Sequence, residues 1–292
     1  MITGKHEENG SVLIITLLLI SILIALVVNF VYAVFIDTSS ISNWSNAQRA
    51  SFIARSGQNL STEYIKEIRQ YSFTYEREAA IPVEHDFGPG ILLEINVEDQ
   101  NSKFNINSIV YPNGLTNEKA LSSLKKLFEY LKINSDLPLI IADWIDPDSE
   151  PRLSDSENSP KNTFLWCADE LKFIEGIDNN IFKAISPYIT VYGSNEININ
   201  TAELPVLVSL SNDMTEDLAK RIIYYRESTP FENKNHIVRV SGLEAIGIKI
   251  LDRITVKASS FGITARATVN EITRIIESVV DSSMNVQFWR EG

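Results

Sequence analysis

Residues 11–36 read SVLIITLLLISILIALVVNFVYAVFI, 26 positions without a charged side chain. As a helix rising about 1.5 Å per residue the run would span about 39 Å, more than the roughly 30 Å hydrocarbon core of a bilayer. Polar Asn29 lies near its outer end and Asp37 closes it. A short, mostly polar leader, MITGKHEENG, stands before it and ends in Gly10. Three readings compete. A secretory signal peptide calls for a shorter apolar core followed by a small-residue cleavage site, and no such site follows. A plain signal anchor fits the length. Cleavage between Gly10 and Ser11, with the helix kept on the mature chain, fits both the length and the glycine-ended leader. Lys5 and His6 precede the run, and no Lys or Arg follows it until Arg49. That bias puts the N-terminus in the cytoplasm and the bulk outside the inner membrane, as a single-pass protein.

Working outward, NWSNAQRASFIARSGQNLSTEYIKEI (residues 43–68) keeps a helical pattern. One helix is predicted from about Val12 to Arg69, with Gly57 as the position that invites an irregularity. Its outer half is amphipathic and should pack on a globular domain. After the Gly88-Pro89-Gly90 turn, Ile91–Val97 reads as a strand and 99–102 as a turn. Lys103–Ile106 then reads as a return strand, giving a hairpin.

From Thr116 the chain reads as helical. In TNEKALSSLKKLFEYLKI (116–133), Leu121, Leu124, Leu127, Phe128 and Leu131 share one side. LPLIIADWI, CADELKFI and DNNIFKAISPYI follow as short helices, and DLAKRIIYYRES and KNHIVRVS supply later ones. A small theme recurs. KFNINSIV at Lys103 and EININTAEL at Glu196 each set Asn-Ile-Asn before a helical segment, followed by the helix-start residues Ser108 and Thr201. Two related helical units, each opened by a short strand, are expected. From Ile254 the pattern turns to strands, with breaks at Asn270-Glu271 and 281–283. It reads as an antiparallel meander needing an apolar partner on one face, which the N-terminal helix can supply. The predicted class is α+β: a long N-terminal helix packed on an antiparallel sheet, with a large helical domain inserted.

Net charge is −12 over 292 residues, which disfavours general binding to nucleic-acid phosphates. Cys167 is the single cysteine, excluding an internal disulfide and CxxC metal sites. His6, His85 and His236 are scattered. No catalytic set stands out, and a non-enzymatic protein is expected. The acidic loop is the main candidate site. Asp143, Asp146, Asp148, Glu150, Asp155 and Glu157 lie within fifteen residues. Hard oxygens on a Pro-bearing loop suit Ca²⁺, though the spacing is not that of an EF-hand. The competing reading is a solvated loop with Asp143 as a structural cap and Arg152 as its counter-ion.

Several stretches together resemble one family. Gly10 with its apolar run, SKFNINSIV, IADWIDPDSEPR, DELKFIEGI and YITVYGSNEININTAELPVLVSLS resemble the type II secretion system protein K family of minor pseudopilins, in the same order along nearly the whole chain. The resemblance implies a pilin-like fold: leader 1–10, membrane part 11–36, pilin-like domain 37–106 with 254–292, and helical units 107–192 and 193–253. It implies cleavage by prepilin peptidase after Gly10 and N-methylation of Ser11. It further implies a place at the tip of a periplasmic pseudopilus with the I and J minor pseudopilins and the major pseudopilin, working on secreted exoproteins through the secretin. It also associates the family with calcium. Most pilins carry a glutamate five residues into the mature chain; here Ile15 stands there. A carboxylate in hydrocarbon serves to pair with a neighbour's terminal ammonium. Without one, Ile15 suits a first or topmost subunit. A related type IV pilus-like machine is a close variant.

ININTAELPVLVSLSNDMTEDLAKRIIYYRESTPF also resembles a helix-hairpin-helix (SAM-like) unit. In DNA-binding members a glycine-rich hairpin aims amides at phosphate. Here LSNDMTED replaces it, with Asp213, Glu216 and Asp217 where phosphate would sit. The unit reads as a packing module rather than a DNA reader. A membrane-anchored DNA-binding protein is the alternative from another class.

Overall fold

The computed structural model describes residues 5–83, 87–148, 150–153 and 160–292, with side chains from Ser11 onward. Helix α1, Lys5–Ile68, is continuous over 64 residues. Its apolar run touches nothing in the chain, whereas Ala47, Ala50, Ala54, Gly57, Gln58, Ser61 and Ile65 are buried. Their three- and four-residue spacing makes one stripe of mostly small side chains, which lets a sheet approach closely. Gly57 causes no irregularity. Its missing side chain makes room: a Cβ there would lie 3.1 Å from both Ala265 Cβ and Leu93 Cδ1.

That sheet is antiparallel and has five strands: β1 (Glu78–Ala80), β2 (Ile91–Asp99), β7 (Ser260–Val269), β8 (Ile272–Asp281) and β9 (Val286–Glu291), hydrogen-bonded in that order. Strands β2 and β7, adjacent in the sheet, run with Ile91 opposite Val269 and Asp99 opposite Phe261. Alternate residues Leu93, Ile95 and Val97 of β2, and Ile263, Ala265 and Ala267 of β7, face α1. Inside this apolar layer Gln58 makes a polar clasp. It donates to the Ile276 carbonyl at 3.2 Å and accepts from Ser278 Oγ at 2.6 Å. The β7–β8 turn is Asn270-Glu271, both with positive φ, as a tight two-residue hairpin with right-handed strand twist requires.

The chain leaves the sheet after Asp99 and returns at Ser260. Between lie β3 (Phe104–Asn105), α2 (Glu118–Tyr130), α3 (Leu137–Ile145), α4 (Asn179–Ile185), β4 (Ile189–Thr190), β5 (Ile197–Asn198), α5 (Leu204–Val208), α6 (Glu216–Ser228), α7 (Glu244–Ile250) and β6 (Ile254–Thr255). The Ala168–Phe173 and Lys234–Arg239 segments are 3₁₀ turns rather than α-helices. Leu121, Leu124, Leu127 and Phe128 of α2 are buried, as their spacing predicts. They join Ile141, Leu171, Ile199, Leu207, Ile222 and Ile254 in one continuous core, so the two helical units share an interior.

The hairpin expected at Lys103–Ile106 does not form. Strand β2 pairs with β1 and β7, and β3 pairs in parallel with β4. Asp99 is the cause. Its carboxylate accepts the Asn101 N–H at 2.7 Å and caps a 3₁₀ turn that rotates the chain off the sheet. Phe104 and Ile106, both buried, then enter the helical core instead of the sheet domain.

Candidate functional site

Two regions carry the functional residues named from sequence. The first is the free part of α1. Residues 11–36 form helix with every residue exposed, Ile15 included. Thr16 Oγ1 donates to the Leu13 carbonyl at 2.9 Å and Ser21 Oγ to the Leu17 carbonyl at 2.8 Å. The Thr16 and Ser21 hydroxyls are thus satisfied on the helix's own backbone, as hydrocarbon demands. This is one helix long and apolar enough to cross a membrane. Its Gly10–Ser11 junction lies inside the helix, two turns from the Lys5 end.

The second is the acidic loop. Asp143 and Asp146, at the end of α3, are fully buried. Their spacing brings both carboxylates onto the Arg152 guanidinium, which pairs with each. Arg152 also donates its backbone N–H to Asp143 Oδ2 at 2.9 Å and its Nη2 to Thr116 Oγ1 at 2.6 Å. Burial works against the Arg152 charge, but the bonds to Asp143 and Asp146 outweigh it and hold its pKa above the usual guanidinium value. Burial pushes Asp146 up, and Arg152 only partly reverses that. Asp148 and Glu150 point outward, with Asp148 Oδ1 accepting the Glu150 N–H at 2.8 Å. Asp155 and Glu157 lie outside the described residues. Among the described residues no group of three metal-type ligands is assembled. One observation does suit a hard cation: Asp146 Oδ1 is buried without a hydrogen-bond partner among them.

The hairpin between α5 and α6 is built against phosphate. Lys126 of α2 sends its ammonium into it and donates to the Asn212 carbonyl at 3.1 Å and the Met214 carbonyl at 2.6 Å. The turn therefore presents carbonyls to a cation, the reverse of an amide nest. Asp213, Glu216 and Asp217 are paired with Lys249, Lys220 and Arg221.

The Asn-Ile-Asn theme is structural, and it repeats in three dimensions. Asn105 and Asn198 each accept the N–H two residues on, at 3.0 Å. Asn107 then clamps both backbone groups of Leu165, at 2.9 Å each, and Asn200 does the same for Phe231, at 2.8 and 2.9 Å. Sequence reading missed the hub beside them. Asp99 Oδ2 accepts from Asn198 at 2.8 Å and Thr201 at 2.7 Å. Asn101 donates to Ser194 Oγ and the Glu196 carbonyl, at 2.8 Å each, and accepts the Ser259 N–H at 2.8 Å. The polar run EDQNS was the signal, because such residues between a strand and a buried segment must find partners.

Comparison with known proteins follows the same division. Family models for type II secretion system protein K match residues 102–194 and 197–257, together more than half of the chain. Type II secretion system protein K of Aeromonas hydrophila is 23% identical over 94% of this chain and 93% of its own length. That of Dickeya chrysanthemi is 29% identical over 37% of this chain, which spans about a third of that relative's length, 34%. A chain in the crystal structure of the GspK-GspI-GspJ complex from enterotoxigenic Escherichia coli has the same fold, with a TM-score of 0.70 at 18% identity over 88% of this chain and 99% of that one. The long helix, the sheet it covers, the inserted helical body and the matched segments agree: this chain belongs to the type II secretion system protein K family and is a minor pseudopilin.

Proposed function

We propose that the chain caps the tip of a pseudopilus. Prepilin peptidase removes residues 1–10, and methylated Ser11 becomes the mature terminus in the inner membrane, with the bulk in the periplasm. Relatives of the I and J classes, as in the complex whose fold this chain shares, are its neighbours at the tip, above the major pseudopilin. The capped filament then helps move exoproteins toward the secretin. One observation carries this reading. Helix α1 leaves all of residues 11–36 free for other helices, yet offers Ile15 where a carboxylate would receive the next subunit's ammonium. The helical body adds bulk beyond the sheet. Intact mass of the protein from its native membrane tests the processing: a chain starting at methylated Ser11 supports it, and an intact Met1 terminus overturns it. Deleting 107–253 and finding normal tip assembly with the I and J subunits would count against capping.

The orphaned Asp146 oxygen favours a second element. Asp146, through that oxygen and with Asp143 beside it, holds Ca²⁺. Titration calorimetry on the full chain tests it: saturable Ca²⁺ heat, lost in Asp146→Asn, is expected, and no heat overturns it.

A further inference from the structure

The last turns of α1 and the segment after it enclose a cavity of about 330 Å³ that none of these roles uses. The rings of Tyr64, Tyr71, Phe73, Tyr75 and Phe261 wall it. Glu67, Glu76 and, on the side of the sheet, Asp99 supply three carboxylates, and no Lys, Arg or His is among the lining residues. Asp99 is fully buried, and its oxygens accept only neutral donors from Asn101, Asn198 and Thr201. Among the described residues no ion pair reaches Asp99, Glu67 or Glu76. The surroundings of Tyr64 register the same field. Burial raises its phenol pKa, then Glu76, Tyr75 and Glu67 raise it further, and nothing lowers it.

Aromatic faces attract cations through their quadrupoles, and carboxylates do so directly. A cavity near the small end of the ligand-pocket range, about 300 Å³, holds one side-chain head rather than a large cofactor. We propose that this cavity is a docking socket for one arginine or lysine side chain presented by a protein partner. A protein source fits the mouth. Tyr71 and Tyr75 stand there 60% and 59% exposed, rigid amphipathic rings of the kind that a partner surface covers. The net charge of −12 steers a basic partner toward it. The socket does not depend on the pseudopilus reading.

The test uses the full chain in detergent at low salt, titrated by saturation-transfer NMR. The probes are acetyl-Gly-Arg-Gly-amide, its lysine counterpart, its neutral citrulline counterpart, and 1,4-diaminobutane. The arginine and lysine peptides should bind saturably and the citrulline peptide about tenfold more weakly or worse. Tyr75→Ala and Glu76→Gln should each weaken arginine-peptide binding about tenfold with an unchanged unfolding midpoint. If Tyr75→Ala lowers the midpoint, Tyr71→Ala takes its place. Equal binding of the citrulline peptide, no saturable binding of either basic peptide, or wild-type binding by both variants would overturn the proposal. Preference for the free diamine over both basic peptides would also overturn it, marking a small-cation pocket instead.

Discussion

Replacing Arg152 by methionine removes the cation that, among the described residues, pairs with two fully buried carboxylates. Breaking a buried pair from one side costs about 3–5 kcal/mol, because the remaining charge stays buried without compensation. The Arg152 side chain keeps 20% exposure, so the lower end, about 3 kcal/mol, is expected. At roughly 2–4 °C per kcal/mol for a domain of this size, the unfolding midpoint should fall by about 6–12 °C. The assay is calorimetry of the full chain in detergent with EDTA, at neutral and mildly acidic pH. The sign of the pH effect follows from Asp146. Asp146 is already held above its usual value by burial, with Arg152 pulling it back. Without Arg152 the folded-state value of Asp146 rises further above its unfolded one. Stability is then greatest when Asp146 is protonated and is lost as pH climbs through its raised value, so the penalty must shrink in acid. Adding Asp143→Asn and Asp146→Asn to the variant should restore most of the loss, and so should Ca²⁺ if it binds there. A loss under about 1 kcal/mol at neutral pH, or a penalty that does not shrink in acid, would refute the assignment of Arg152 as the counter-ion of this core.

Asp99, raised to about 6 by burial, should make the chain less stable as pH rises from 4 to 6, by roughly 3 kcal/mol, and Asp99→Asn should flatten that slope in pH-dependent denaturation. Asn200→Ala strands the buried N–H and C=O of Phe231 and should cost about 3 kcal/mol in urea unfolding, whereas Asn113→Ala, on an exposed turn, should cost under about 0.5 kcal/mol. Gly57→Val forces a branched side chain into contacts already at 3.1 Å; a loss of about 2 kcal/mol is expected, and no loss would show that α1 stands further from the sheet. Glu271 adopts φ 73°, so Glu271→Gly should raise stability by about 1 kcal/mol, read as a higher urea midpoint.

The parts of this fold that sequence reveals are those whose cause is local. A charge-free run longer than a bilayer is helical whatever else happens, and α2 shows its buried side in its own spacing. The β7–β8 turn was visible because Asn-Glu interrupts two alternating strands. The hairpin failed for the opposite reason. Whether Phe104 pairs with β2 or with β4 is decided by a strand eighty-five residues away, and by the Asp99 cap, which looks like any acidic turn. The acidic loop shows the same limit. Six acids within fifteen residues suggest one cation site, but Asp143 and Asp146 turn inward to Arg152 while Asp148 and Glu150 turn to solvent. The chain turns extended at Asp146, just past α3, and the pairing with Arg152 makes that division; composition does not carry it. Lys126 was equally hidden, because on α2 it reads as an ordinary surface lysine until the α5–α6 hairpin brings three carbonyls to it.

The attachment of the helical body bears on the proposed capping role. Asp99 and Phe261, where the chain leaves and rejoins the sheet, are register partners, so the body's two covalent connections lie side by side. A two-strand attachment alone would act as a hinge. Asn101 removes that freedom by bonding Ser194 and Glu196 on the body side and Ser259 on the returning strand. Asp99 adds Asn198 and Thr201, and the Thr74 carbonyl accepts from Asn198 at 3.2 Å, tying the segment after α1 to the same residue. These bonds are short, buried and directional, so they resist rotation in a way that an apolar contact of the same area would not. A push along α1 would thus reach the helical body through a locked joint, which is what the proposed cap requires and a flexible tether would not provide.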